Sequence, residues 1–213
     1  MKSLPKSFWF FVVIALAVKA GLFIFIAVTN PNSILEIDSH QYLSCAASLA
    51  DGFRGHDISR SYDIFRTPGY PFFLVVFHHW MHIPLIGVVG IHLILNVLAA
   101  WMTAKAAERI DSKLVPVSAL VILLDFPTTV FSLMIFTEAV FLFLMSVLLY
   151  SGVRYLQDHR LRWTLIAALT LTAAVYCRPA AYYLPLMLGG LMAADALLRH
   201  RSFQMKLLIH VFL

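Results

Sequence analysis

Apolar residues fill long, almost uninterrupted stretches of this chain, and polar residues gather in short segments between them. Runs near 8–28, 85–104, 114–126, 137–153, 163–177 and 181–198 carry few charges, and another begins near Lys206. Several approach the roughly 20 residues an α-helix needs to cross a hydrocarbon layer, where a helix satisfies its own backbone groups. The pattern predicts an all-α fold: a polytopic transmembrane bundle of six helices and the start of a seventh. An eighth apolar stretch, Tyr70 to Trp80, is expected to lie at the interface instead of crossing, because the charge pattern below requires it.

Composition supports the same solvent. Of 213 residues, 61% are hydrophobic and 13% charged, about half the charged share of a soluble domain. The net charge of +5 does not indicate nucleic acid, because Lys and Arg fall in short clusters at helix ends, where they orient helices and meet anionic headgroups. The first run follows Lys2 and Lys6 as a signal peptide would, but it is too long for an h-region and reads as a retained signal anchor. Cys45 and Cys177 lack the spacing of a metal knuckle and read as packing residues.

With a cytoplasmic N-terminus, Lys2, Lys6, Lys105, Arg109, Lys113, Arg154, Arg160, Arg162, Arg199, Arg201 and Lys206 fall inside, and Arg54, Arg60, Arg66 and Arg178 outside. That split obeys the positive-inside rule. The acids Glu36, Asp38, Asp51, Asp57 and Asp63 then share an outer loop, residues 29–84, with Asp125 and Glu138 at helix ends nearby. A polar loop of about 55 residues with helix signals of its own is expected to be ordered and functional. The chain, read as a single module over residues 1–213, stops within an apolar run, so a partial chain is expected.

Candidate chemistry concentrates at that outer end. Asp38 heads an amphipathic segment in which Tyr42 lies one turn away on the same face. Asp38 could act as a general base towards a hydroxyl; equally, Asp38 and Gln41 fit a capping box and Gly52 the matching C-terminal stop. Arg66-Thr-Pro-Gly-Tyr70-Pro forms a rigid turn whose Arg suits phosphate recognition or plain snorkelling to headgroups. Glu138 and Arg178 sit at helix ends, where they either stabilise the helix dipoles or serve a site. A base, arginines and a cavity at membrane level are what transfer from a phosphate-linked lipid requires. His78 and His82, one turn apart, lack a nearby carboxylate or cysteine and read as interfacial, so no metal or other cofactor is indicated. Lys19, within the first helix, needs a cavity or partner.

At these residues the chain resembles the GT-C superfamily of glycosyltransferases, in particular the bacterial branch of protein mannosyltransferases and lipid A or lipopolysaccharide-core sugar transferases. The matching pieces are Ile-Asp38-Ser-His-Gln-Tyr42 with its Ala-rich helix ending in Asp-Gly, Arg66-Thr-Pro-Gly-Tyr70-Pro, Phe-Thr137-Glu138-Ala-Val-Phe, and Tyr-Cys-Arg178-Pro179. The resemblance spans nearly the whole chain. It implies a membrane enzyme moving a sugar from a polyprenyl-phosphate donor to a lipid, glycan or protein acceptor on the outer face of the bacterial inner membrane. It maps the catalytic aspartate onto Asp38, and implies that Tyr42, Arg66, Tyr70, Glu138 and Arg178 bind substrate. Two departures stand out: relatives often carry two adjacent acids where Ser39 follows Asp38, and they are commonly longer. The rival reading is a non-enzymatic membrane protein, either a lipid-linked-sugar flippase or transporter, or a binding or assembly subunit. Neither reading involves nucleic acid.

Overall fold

A computed structural model describes residues 4–52 and 66–191, with 193, 194 and 197. Every regular element among the described residues is helical. The order is α1 (Lys6–Thr29), a 3-10 turn (Pro31–Ile34), α2 (Ile37–Ala50), α3 (Gly69–Leu74) widening into a π-helix (Val75–Trp80), α4 (Leu85–Ile110), α5 (Leu114–Leu124), α6 (Phe126–Ser132), α7 (Glu138–Asp158) and α8 (Leu161–Cys177). The described residues from Ala180 onward belong to a compact unit separate from the rest. Within it, 184–191 of the expected 181–198 helix are helical. The expected start near Lys206 lies outside the described residues.

Local chemistry sets the boundaries. α1 ends at Asn30-Pro31, where the proline cannot continue the donor ladder. The capping box of α2 is made by Glu36 and Ser39, not by Asp38 and Gln41: the Glu36 N–H donates to Ser39 Oγ at 3.1 Å. Asp38 lies inside the first turn, one position beyond the helix start, and is therefore free of capping duty. Gly52, at φ 61, does supply the left-handed stop. The run expected over 114–126 is instead broken at Asp125, whose carboxylate accepts from the Thr128 N–H at 2.9 Å and the Thr128 hydroxyl at 2.7 Å. That cap starts α6, which leaves α5 at 51°.

Among the described residues three helices are long and apolar enough to cross a membrane: α1, α4 and α7. Only 17%, 33% and 22% of their most apolar windows are buried, so most of the apolar side chains point away from the protein, as a bilayer would have them. The bent pair α5–α6 passes as a fourth span if counted as one. α8, at 17 residues, rises about 26 Å at 1.5 Å per residue, short of a ~30 Å hydrocarbon layer. Of the six spans expected from the apolar runs, three are met among the described residues and a fourth is the broken pair; the run over 163–177 is too short, and the run over 181–198 is only partly described.

Two cores hold the bundle. In one, Phe8, Val12 and Ala15 of α1 meet Ala100 and Ala104 of α4 and Val115, Ala119 and Leu123 of α5; the small residues let helix backbones approach. Lys19 continues the α1 stripe, 1% exposed, with no hydrogen-bond partner on Nζ, and Asp125 is the charge that acts on it. Asn96, one turn from Ala100, is likewise buried with neither amide atom bonded. The other core joins Tyr42 and Ala46 of α2, Tyr70 and Leu74 of α3, Val88 and Val89 of α4, and Ile135 and Cys177. The Ile135 N–H donates to Ile34 O at 3.0 Å, stitching the two loops together.

The Pro68-Gly69 turn is seated on the end of α8. Thr67 Oγ1 donates to Cys177 O at 3.0 Å, and a Cβ on Gly69 would lie 2.6 Å from the Tyr176 carbonyl carbon and oxygen. Backbone cannot yield as a side chain does. Gly69→Ala is therefore expected to destabilise the protein by about 1–3 kcal/mol, read as a lower unfolding midpoint in detergent. Gly90→Ala, with open space around it, is the control and should not lower the midpoint; equal behaviour of the two would show that the turn is not seated as described.

Candidate functional site

The site grows from four chain segments that end at one end of the bundle: the start of α2, the turn before α3, the start of α7 and the end of α8. Arg66 is the joint. Its Nη2 donates to Asp38 Oδ1 at 2.5 Å and to Gln41 Oε1 at 2.5 Å, its Nε to Gln41 Oε1 at 2.9 Å, and its Nη1 to the Tyr42 hydroxyl at 3.3 Å. The guanidinium also lies 4.8 Å from the Tyr42 ring centroid, a cation–π distance. Asp38, Gln41 and Tyr42 share one helical face, so a single planar fork can grip all three.

A second acid–arginine pair faces the first. Arg178 Nη1 lies 3.1 Å from Glu138 Oε1, and the Thr137 hydroxyl donates to Glu138 Oε2 at 3.2 Å. Both pairs line one cavity of about 270 Å³, together with Tyr42, Thr67, Phe131, Phe136, Thr137 and Cys177. Of the six residues singled out in the sequence, Asp38, Tyr42, Arg66, Glu138 and Arg178 therefore converge on the cavity. Tyr70 does not reach it: fully buried, it packs edge-on beneath Tyr42 at 5.1 Å between ring centroids.

The two arginines are engaged differently. Arg66 has four bonds to α2 and is largely committed to holding Asp38. Among the described residues Arg178 pairs only with Glu138, and it keeps most of its five donors available, at 39% side-chain exposure. Asp38, which lines the cavity, is bonded through Oδ1 and half-exposed, and its Oδ2 has no protein partner among the described residues. Such a cavity can hold an anion at Arg178 while a separate carboxylate oxygen accepts a proton.

Beneath the cavity, His92 of α4 ties two walls together. Its Nδ1 lies 3.0 Å from Met134 O and its Nε2 3.3 Å from the Tyr70 hydroxyl. A carbonyl only accepts, so Nδ1 carries the hydrogen and, in the neutral ring, Nε2 accepts from Tyr70. His92 thereby fixes both the segment leading to Glu138 and the segment following Arg66. It went unremarked in the sequence, although His92 and Asn96 are polar residues one turn apart on an apolar helix, a signal worth reading. Gln41, as a partner of Arg66 rather than a cap, and Phe131 were also missed.

The histidines at the end of the π-helix do not converge. His78 Nδ1 is 2.8 Å from Ile83 O, and among the described residues no group of three or more His, Cys, Asp or Glu side chains could hold a metal. Cys45 and Cys177 are both buried. Arg54, Asp57, Arg60 and Asp63 lie outside the described residues. Comparison of the chain with protein-family models, with curated proteins and with solved structures finds no match.

Burial holds the Tyr70 phenol well above its ordinary value of 10.0, and burial raises Tyr42 as well, against the pull of Arg66. In the unfolded chain both titrate near 10, so above that pH the unfolded state releases protons that the folded state keeps. Their contribution to stability is complete below about pH 10 and is lost as pH rises towards the folded values. Stability is expected to fall above pH 10, and Tyr70→Phe should flatten that slope in denaturant titrations at pH 9 to 11. His92→Leu, which leaves Met134 O and the Tyr70 hydroxyl buried without partners, should cost about 1–3 kcal/mol per orphaned group. An unchanged midpoint would show that these bonds do not clamp the site.

Proposed function

We propose that the protein is a membrane glycosyltransferase that moves a sugar from a polyprenyl-phosphate-linked donor to a hydroxyl-bearing acceptor, with Asp38 as the general base. The observation that carries this reading is the convergence of two acid–arginine pairs, Asp38–Arg66 and Glu138–Arg178, on one cavity at the end of an apolar helix bundle.

In this reading the donor phosphate rests against Arg178, whose remaining donors match phosphate oxygens in a bidentate geometry. The acceptor hydroxyl approaches the anomeric carbon from the opposite face. Its proton passes to Asp38 Oδ2 as the new C–O bond forms, and the bond to phosphate breaks with its electron pair leaving on the phosphate oxygen. Arg178 offsets the charge that develops there, and the anomeric configuration inverts. Arg66 holds Asp38 in place, and Tyr42 closes the wall between them. Glu138 orients Arg178.

The bundle end carrying the cavity lies opposite Lys105, Arg109, Lys113, Arg154, Arg160 and Arg162, which cluster where α4 and α7 end and α5 and α8 begin. By the positive-inside rule, that distribution supports a cavity on the outer face and a cytoplasmic N-terminus. The bacterial inner membrane is the location this reading implies. A transporter or flippase has one observation in its favour: Lys19 and Asn96, buried without hydrogen-bond partners in two of the candidate spans.

Transfer from a radiolabelled polyprenyl-phosphate-sugar pool, measured in membranes containing the protein, separates these readings. Asp38→Asn should lower transfer by about 10²–10⁴-fold, the usual contribution of a general base, with insertion and stability retained. Transfer that survives Asp38→Asn would remove the base assignment. Absence of transfer in the unaltered chain, with substrate movement lost on Lys19→Met, would move the transporter reading ahead.

A further inference from the structure

Three cavities meet at one side chain. Phe131 of α6, edge-on to Phe136 with ring centroids 5.8 Å apart, borders the cavity of about 270 Å³ described above and a second of about 220 Å³ that contains Glu138 and Arg178. It also borders a third, of about 350 Å³, lined by Glu36, Ile37, Asp38, Val130, Met134 and Phe136. Charge divides them. The first two contain arginine, whereas the third is lined, among the described residues, by two carboxylates and no cation. Asp38 belongs to both the arginine cavity and the acid-only cavity.

We propose that the acid-only cavity between α6 and the start of α2 is the acceptor subsite, taking a neutral or cationic polyhydroxyl compound, with Phe131 limiting its size. The proposal rests on the transferase reading and adds to it the chemical class of the acceptor. A phosphate or carboxylate seated there would face Glu36, which has no basic partner among the described residues, and Asp38, only one of whose oxygens Arg66 holds, with apolar walls behind it, a like-charge juxtaposition that costs affinity. A hydroxyl can donate to Asp38, and the C–H face of a ring can lie on Val130, Met134 and Phe131. The volume is at the lower end of the ~300–1,000 Å³ typical of ligand sites, room for about one ring and its substituents. Asp38 thus stands where an anionic donor from one side and an uncharged acceptor from the other would meet. Phe131 keeps the two ligand chemistries apart.

The test separates binding from transfer. Saturation-transfer NMR on the full chain in lipid nanodiscs uses three probes: methyl glucoside (neutral), its 6-amino analogue (cationic) and methyl glucuronide (anionic). The first two are expected to bind at least about tenfold more tightly than the third, equal to roughly 1.4 kcal/mol. Val130→Lys should erase that preference by admitting the glucuronide, and Met134→Lys does the same should the first variant fold poorly. Phe131→Ala should raise binding of the two-ring methyl maltoside relative to methyl glucoside. Equal binding of all three probes to the unaltered chain would overturn the acceptor class, as would a preference that neither lysine variant alters. An unchanged maltoside-to-glucoside ratio would overturn the role of Phe131. If the sugars bind as stated yet no transfer occurs, the transferase reading falls while the sugar site stands; transfer with indiscriminate sugar binding overturns the subsite alone.

Discussion

The Arg66 fork is the interaction on which the rest of the site depends. Without it, α2 is an amphipathic helix beside a bundle, with Asp38, Gln41 and Tyr42 presented on one face. The guanidinium joins that face to the Thr67-Pro-Gly69 turn, which Thr67 and the close approach of Gly69 fasten to the end of α8. The first polar segment is thus tied to a helix more than a hundred residues later. Planarity matters: lysine, a point charge, could not reach the Asp38 carboxylate, the Gln41 carbonyl and the Tyr42 hydroxyl together.

A second consequence concerns charge. Arg66, Asp38, Glu138 and Arg178 neutralise one another in pairs around the cavity, so four ionisable groups can stand at the edge of an apolar bundle without a net charge to solvate. Removing one member leaves its partner uncompensated, which couples folding to the integrity of the site. The pairs are unequal, and this matters for chemistry: Arg66 is saturated by α2, while Arg178 retains donors. The donors left free in the cavity are thus those of Arg178, not those of the group that holds Asp38.

Much of this architecture was legible in the sequence, for reasons that differ from residue to residue. Long apolar runs must be helices in a bilayer, and α1, α4 and α7 follow from that requirement alone. The gathering of Asp38, Arg66, Glu138 and Arg178 followed from their lying at or beside helix ends, and that of Tyr42 from its place one turn from Asp38 on the same face. What escaped depended on tertiary register. Whether Asp38 or Glu36 caps α2 turns on a start shifted by two residues, which spacing cannot fix because both acids precede plausible partners. The break at Asp125 was hidden in an apolar run because Thr128 supplies a cap that hydropathy does not see. Tyr70, expected at the substrate, is instead the floor beneath Tyr42, since periodicity places a side chain on a face without saying how deep the face lies.

The buried polar groups of α4 extend the same logic into the bundle. His92 is satisfied at both nitrogens and locks two walls of the cavity, while Asn96, one turn further along the same face, has no partner at either amide atom, and Lys19 of α1 is unbonded as well. In an apolar setting an unbonded amide or ammonium is costly, so the bundle becomes less well satisfied with distance from the site. Helix packing alone would favour alanine at Asn96, as at Ala100 and Ala104 on the same helix. The polar column on α4 is thus bonded at His92, under the cavity, and unbonded at Asn96, one turn below it. Lys19 extends the α1 stripe packed against α4 and α5, where Asp125 breaks a helix and is the charge that acts on it.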